Sequence, residues 1–460
     1  MPSFYKVYSA AIRCFLMLFV GGYVGIIGAQ DVANSQPNIV FFFTDDQGWN
    51  HHSVPMFEDP ASANNEYFQT PNIERIAQEG MRFSTAYSAA PMCNHSRRSM
   101  HVGKSAAAVV FSGLSEREQE RALTIGEMMQ SAGYRTAHFG KWSPGPSVAG
   151  LEHFDVTDGG LNNGEGNLNE PGDPKQIFGI TDRATQFIEE SVNQGQPFYV
   201  QLSHFAPHTQ THALEETMDK WEDLDQGGRH NPELSAMTED LDVGVGAILD
   251  KLEEMGVSDN TYVIYTSDHG QTSNASDNLP LNLGKGTLWE GGIRVPFIVS
   301  GPGIEAGTIS HERTVSLDLF PTFAELAGVD DLPEDIEGGS LMPLLSGASD
   351  QINRSREELV LHFPSGSGQA TFRPMSVLYL DDYKLVKLYD TEEIQLFNIR
   401  EDIGEQNNIA RLMPDQTNQM HSLMLSYMDD VGVTDFAPEV NEGGAGGMGG
   451  MGGMGGMGGN

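Results

Sequence analysis

The sequence predicts an α/β protein with a mostly parallel central sheet, followed by a small antiparallel sheet that carries a helix. Three observations predict it. Short apolar runs of strand formers alternate with helix-patterned segments up to about residue 345. Charged residues and histidines recur just past the carboxyl ends of those runs, where open α/β sheets place their ligand groups. After about residue 350 the apolar runs become closely spaced with short turns, the pattern of an antiparallel meander.

Each element follows from local pattern. Asn38–Thr44 (NIVFFFT) reads as a buried strand with Asp45-Asp46 just beyond its carboxyl end. Thr70-Pro71-Asn72 opens a helix that runs through Glu79 and closes at Gly80. Leu123–Ala132 is a second helix, closed by Gly133, and Arg135–Phe139 is a strand leading into Gly140-Lys141-Trp142. Residues 145–174 are rich in Gly, Asn and Pro and read as irregular loop. Thr181–Asn193 is a helix, and Phe198–Ser203 is a strand that delivers His204, Pro207 and His208. Ser235–Met255 is a long amphipathic helix, and Thr261–Thr266 is a strand ending at Asp268-His269-Gly270. Val295–Ser300 and Asp318–Ala327 add a strand and a helix. A main domain is therefore expected over 35–345. A smaller one over 346–435 holds strands at Glu358–Phe363, Ser376–Leu380, Tyr383–Tyr389 and Ile394–Asn398, then a helix over Pro414–Met428. The tail over 436–460 repeats Gly-Gly-Met from Gly443, cannot form a packed core, and is expected to be disordered.

Residues 1–29 stand apart. Lys6 and Arg13 precede an apolar, uncharged run from Cys14 to Gly28, and Ile27-Gly28-Ala29 offers a small-residue cleavage site. This is the pattern of a secretory signal peptide cut after Ala29, so export to a periplasm or the extracellular space is expected, with no membrane span in the mature form. Of the two cysteines, Cys14 leaves with that leader and Cys93 remains alone, unable to form an internal disulfide. The formal net charge of −38 repels nucleic acid and anionic lipid, so neither is an expected partner. Any anion site must then be made locally positive by a metal or by clustered Lys and Arg.

Adjacent carboxylates at a strand end, as at Asp45-Asp46, suit a hard cation that takes oxygen ligands. The same pair alone is also an ordinary turn or helix cap. Asp268 and His269, at a second strand end, offer a further carboxylate and an imidazole. Cys93 is flanked by His95, Arg97, Arg98 and His101, an electropositive setting for a lone cysteine that would otherwise be a small buried hydrophobe.

From about Pro37 to Ala410 the chain resembles the formylglycine-dependent sulfatases of the alkaline phosphatase superfamily. The resemblance rests on PNIVFFFTDDQGW, TPNIERIAQEGMRF, MCNHSRRSMHVGK, AGYRTAHFGKW, FAPH, SDHG, GKGTLWEGGIRVPFIVSGPG and LDLFPTFAELAG, in the family's order. It implies an alkaline-phosphatase-like α/β/α sandwich over 35–345. It implies that Cys93 is oxidised by a formylglycine-generating maturation enzyme. One oxygen of the hydrated aldehyde then attacks sulfur, and the second hydroxyl collapses the intermediate to release sulfate. By the same resemblance Asp45, Asp46, Asp268, His269 and the modified Cys93 ligate one calcium ion. Arg97 holds the formylglycine, Lys141 and Lys285 bind sulfate oxygens, and His208 stands near the leaving oxygen as a general acid. The implied substrate is a sulfated carbohydrate or an aryl sulfate.

Two positions depart from the family. His95 stands where the C-x-P-x-R or C-x-A-x-R signature has Pro or Ala, a position read by the maturation enzyme. Ser143 stands where Lys-Trp is usually followed by His. One expectation is that His95 returns an imidazole to the site from the other side, so that the two departures compensate. Arg98 and His101 match no role, and the sequon Asn94-His95-Ser96 is discounted because a glycan there would block the site. Two other readings stay open: a phosphodiester or phosphonate ester hydrolase of the same superfamily, and an inactive relative that binds a sulfated glycan.

Overall fold

Every residue of Asn38–Thr44 is buried, and this strand (β1) lies inside the main sheet with a parallel partner on each side. The computed structural model describes residues 36–58, 67–114, 122–143, 150–160, 169–224, 231–272, 278–364, 373–434 and 436. The expected leader over 1–29 lies outside them, as does the expected tail apart from Phe436. No described helix is long and apolar enough to cross a membrane.

The other strands of the sheet are β2 (Gly80–Phe83), β3 (Arg135–Gly140), β4 (Val156–Thr157), β5 (Phe198–Ser203), β6 (Thr261–Ser267), β7 (Phe297–Ser300) and β8 (Thr308–Ser310). Their spatial order is β8-β2-β7-β6-β1-β5-β3-β4. Pairing is parallel except that β7 runs against both β6 and β2. That exception matters for the site. Antiparallel neighbours need no crossover helix, so the chain leaving the carboxyl end of β6 re-enters β7 at the same edge of the sheet. Lys285, carried by the described part of that connection, therefore lies where ligand groups gather.

The layers follow from the two periodicities. Side chains alternate along a strand, so Ile39, Phe41 and Phe43 face one side of the sheet and Val40 and Phe42 the other. The first set packs with Ile125, Met128 and Met129 of α3 (Ile125–Ser131) and Leu319, Phe320 and Phe323 of α6 (Leu319–Ala327). The second packs with Ile73 and Ile76 of α1 (Pro71–Glu79), Ile180 and Ala184 of α4 (Ile177–Asn193), and Val245 and Ile248 of α5 (Pro232–Glu254). Each apolar residue of β1 is fully buried, contributing about 1.5–3 kcal/mol apiece. The result is the expected α/β/α sandwich.

Helix starts differ from the sequence reading for local reasons. α5 begins at Pro232 rather than Ser235, because Asn231 caps it through the Leu234 amide (3.1 Å) with Pro232 in the first turn. α4 begins at Ile177 rather than Thr181. The Thr181 hydroxyl does not cap; it donates to the Ile177 carbonyl one turn back (2.8 Å). A helix that pattern did not assign, α2 (Cys93–Val102), carries the cysteine. Its buried residues are largely polar (Ser96, Arg97, Ser99, His101), so it shows no apolar stripe.

Strands β9 (Leu359–Phe363), β10 (Met375–Leu380), β11 (Tyr383–Leu388) and β12 (Ile394–Asn398) form the antiparallel meander. One face packs on Leu288, Trp289 and Ile293 of the Lys285 connection and on Tyr87. The other packs on Met420, Met424 and Met428 of α7 (Pro414–Asp430). A buried ionic group reinforces the first contact. Lys384 of β11 lies 3.0 Å from Glu290 and 2.7 Å from Glu405, and Glu290 also accepts from the hydroxyls of Tyr379 (2.6 Å) and Tyr87 (3.0 Å). Burial, helped by the nearby Glu290 and opposed by Lys384, pushes Glu405 up to about 7.

Candidate active site

Four neighbouring strands end at one edge and deliver the charged groups side by side. Thr44 of β1 is in register with Ser267 of β6, which places Asp45-Asp46 beside Asp268-His269. The Asp268 amide donates to the Thr44 carbonyl (3.1 Å) and the Asp46 amide to Asp268 Oδ1 (3.1 Å). Past β3, the Lys141 amide donates to Ser203 O at the end of β5 (2.7 Å). Past β5, the Asp45 amide donates to Ala206 O (3.2 Å) in the turn that carries His208. Asp46 takes a left-handed backbone (φ 63°), which Asp tolerates better than most residues and which lets successive carboxylates face the same space. Cys93 is the first residue of α2, and Arg97, one turn later, lies on the same side of the helix.

The contacts are short and buried. Lys141 Nζ lies 2.8 and 2.6 Å from the two Asp45 oxygens, and Lys285 Nζ lies 2.7 and 2.9 Å from those of Asp46. Arg97 donates from Nε to Asp268 Oδ2 (2.9 Å) and from Nη1 to the Lys141 carbonyl (2.9 Å), with its guanidinium over the Phe43 ring at 4.7 Å. Cys93 Sγ sits 3.1 Å from His269 Nε2 and 3.5 Å from Lys285 Nζ. His208 stands at the rim, its Nε2 3.7 Å from Asp46 Oδ2 and its Nδ1 against the Thr209 carbonyl.

Three carboxylates thus face three permanent cations, and their formal charges cancel. Burial opposes ionisation of Asp45, yet Lys141, His208 and Arg97 hold it well below the usual carboxylate range. Asp46 is lowered in the same way, chiefly by Lys285 against burial. Burial also opposes charge on His269, but Asp268 and its neighbours raise it to about 9.

Asp45, Asp46, Cys93 and His269 offer ligand atoms that all lie within 4.8 Å of one another. Two fully buried carboxylates converging with an imidazole form a donor set that fits a divalent cation, with oxygens for a hard ion such as calcium. Asp268 lies in the same cluster, but its Oδ2 is engaged by Arg97 and its Oδ1 by the Asp46 amide. A divalent cation would bring two positive charges to a site whose permanent charges cancel, and would hold His269 neutral as a ligand. An ionised nucleophile and a singly charged sulfate ester would balance them.

The structure brings together Asp45, Asp46, Cys93, Arg97, Lys141, His208, Asp268, His269 and Lys285. It does not bring His95 to them, which corrects the expected compensation. Two positions along a helix is a turn of about 200°, so His95 points away from Cys93. Its ring packs on Phe111 (5.3 Å) and Phe363 (5.8 Å), and burial lowers it to about 4. Ser143 lies two residues past Lys141 in left-handed backbone (φ 51°), and no hydrogen bond among the described residues joins it to the cluster. Pattern reading missed Lys175, whose Nζ donates to the His208 carbonyl (2.8 Å). It falls just past the 145–174 segment read as irregular loop, and no motif marks it.

A helix-borne cysteine beside a carboxylate cluster that could hold a cation, ringed by Lys and Arg at the carboxyl edge of an alkaline-phosphatase-like sheet, fits a hydrolase that acts on an oxyanion ester. Comparison with known proteins narrows the class. The chain matches the sulfatase family over residues 37–329 and the C-terminal part of the N-sulphoglucosamine sulphohydrolases over 283–430. It is 30% identical to N-acetylgalactosamine-6-sulfatase of Rattus norvegicus, covering 73% of this chain and 71% of the relative. It is 28% identical to a sulfatase of Formosa agariphila, covering 84% and 86%. Among solved structures, Ps i-CgsB in complex with k-i-k-neocarrahexaose shares the fold with a TM-score of 0.72, at 24% identity over 89% of this chain and 96% of that one. The chain belongs to the sulfatase family, enzymes that hydrolyse sulfate esters.

Proposed function

We propose that this sulfatase acts through a formylglycine made from Cys93, with calcium held by Asp45, Asp46, Asp268, His269 and the modified residue, on the sulfate ester of a carbohydrate or a phenol. The observation that carries the reading is the position of Cys93 Sγ, 3.1 Å from His269 and 3.5 Å from Lys285 and inside the group of ligand atoms. A nucleophile on that atom's site meets both the cation and the anion-binding lysines. The bound cation would polarise the sulfuryl oxygens and favour ionisation of the nucleophile.

The chain's own residues do the rest. Lys141 and Lys285 present ammonium groups to sulfate oxygens while anchored on Asp45 and Asp46, so their positions are set before substrate arrives. Arg97 locks Asp268 and the Lys141 backbone. As the sulfur–oxygen bond to the leaving group breaks, its electron pair stays on the alcohol oxygen. That oxygen takes a proton from His208 Nε2, the ring nitrogen that faces the site; since Nδ1–H already donates to the Thr209 carbonyl, the acid is the doubly protonated imidazolium, which is left as the neutral Nδ1–H tautomer. Relatives named N-acetylgalactosamine-6-sulfatase and ulvan-active sulfatase support a sulfated carbohydrate as substrate. The leader-like segment over 1–29 supports export, and the need to oxidise Cys93 implies a maturation enzyme as partner.

The test is the mass of the Cys93 peptide from protein purified from its own host, together with turnover of aryl sulfate against aryl phosphodiester. Conversion lowers the mass by about 18 Da, and sulfate turnover should dominate. A phosphodiester preference would move the reading to the sister hydrolases. An unmodified thiol with sulfated-glycan binding and no turnover would make the protein an inactive binder.

A further inference from the structure

Lys175 is fully buried, and its ammonium lies within reach of the site's charges without belonging to the set described above. Its Nζ donates to the His208 carbonyl at 2.8 Å. Burial lowers it to about 8, opposed by Asp45 and Asp46 and aided by Lys141. A lysine is an expensive choice for a position that an apolar side chain of the same length could fill.

The backbone that delivers it is unusual. Lys175 (φ 57°) and Gln176 (φ 55°) are consecutive non-glycine residues in the left-handed region. Such residues persist only where the surroundings impose them, and they gather at functional sites. Here the imposition is visible. Asp173 Oδ1 accepts from the Phe178 and Gly179 amides (2.9 and 3.1 Å), and its carbonyl accepts from the Gln176 amide (3.2 Å). The start of α4 is thereby wound so that Lys175 reaches beneath the turn carrying His208.

That turn is held at two points. On one side Ala206 O accepts from the Asp45 amide (3.2 Å), which ties it to the carboxylate cluster. On the other, Lys175 holds the His208 carbonyl. Within the turn the His208 amide donates to Phe205 O (3.0 Å). The imidazole is in turn oriented through Nδ1 by the next carbonyl, that of Thr209. The ring's aim therefore follows the backbone of residues 208–209, and Lys175 grips that backbone.

We infer that Lys175 is a positioning residue for His208, holding the turn so that Nε2 meets the leaving oxygen. This deepens the proposed function and rests on its assignment of His208 as the leaving-group acid. A proton is needed most when the departing alcohol is a strong base and least when it is a nitrophenolate. Misplacing the acid by about 1 Å costs up to about 10²-fold, so the loss must grow with leaving-group basicity.

The test uses full-length, converted enzyme with 4-nitrophenyl sulfate and phenyl sulfate. Lys175→Met should lose about tenfold or more kcat on phenyl sulfate beyond its loss on nitrophenyl sulfate, with KM little moved. In a His208→Gln background the same substitution should cost about nothing further, because the residue acts through His208. Lys175→Gln, too short to reach the carbonyl, should show the same selective loss and serves if the methionine variant does not fold. Lys175→Arg, which keeps a charged donor, should recover part of the selectivity. Equal losses on both substrates, or a full loss retained in the His208→Gln background, would overturn the inference. Wild-type enzyme that turns over neither sulfate would instead refute the proposed function.

Discussion

Replacing Lys285 by Met tests how the site binds sulfate. The two side chains are similar in length, so the change removes a charge and leaves no large cavity. The loop should stay in place, because backbone bonds pin it: the Lys285 amide to Gln271 O (2.8 Å) and the Gly286 amide to Pro91 O (2.9 Å). What is lost is the ammonium that bridges Asp46 (2.7 and 2.9 Å) and the Cys93 position (3.5 Å). Removing one preorganised donor to a developing oxyanion costs about 2.7–4 kcal/mol, or about 10²–10³ in kcat. Asp46 meanwhile loses its strongest positive neighbour, so cation retention should hold or tighten. The assay is kcat and KM on aryl sulfate with converted enzyme, plus metal content after dialysis. A loss in kcat below about tenfold, or a protein that sheds its cation more readily than wild type, would show that Lys285 serves the resting carboxylates rather than the transition state.

Other outcomes are open to direct measurement. His95 is the third residue of α2, and its amide donates to the Asn94 Oδ1 side-chain oxygen (3.0 Å); first-turn amides have no helical acceptor to lose. His95→Pro should therefore raise the fraction of Cys93 converted, read by peptide mass, while costing about 1–2 kcal/mol of ring packing; an unchanged fraction would show that His95 does not limit maturation. A chelator should abolish turnover, calcium should restore it, and the melting temperature should fall on removal, since a ligand at about 100 times its Kd stabilises by about 2.7 kcal/mol. An unchanged melting temperature with full activity would refute a bound cation. Glu405, raised from its ordinary 4.5 to about 7, makes the fold lose stability as pH rises between those values, because the unfolded chain has released the proton and the folded one has not. Glu405→Gln should therefore gain stability relative to wild type between pH 5 and 8 in denaturant titrations; a constant difference would place the ionisation elsewhere.

Much of the fold was legible because burial leaves a periodic trace. NIVFFFT needed no partner to be read as a strand, and β12 was found at its predicted bounds. Helix starts were less legible, because Asn231-Pro232 can open a helix or sit in a loop until a backbone amide is there to be capped. α2 left no trace, since most of its buried side chains are polar and Arg97 finds its partners, Asp268 and the Lys141 carbonyl, far along the chain. Of the site, the residues named by the resemblance were found together. Lys175 was not read, because only its three-dimensional neighbour His208 gives it a role.

The sequence by itself determined the order of elements, the inventory of carboxylates, lysines and imidazoles, and the family to which the chain belongs. Tertiary structure decided which of these touch. Asp268, Asp45, His208 and Lys141 come from segments far apart in the chain, and they meet because β6, β1, β5 and β3 are adjacent in the sheet. Local pattern sets which face of a strand is buried. It does not set which strand lies beside it, because that is chosen by the packing of α1, α4 and α5 on one face and α3 and α6 on the other. The same holds for His95: its place in the chain put it beside Cys93, and the phase of the helix turned it toward Phe111 and Phe363.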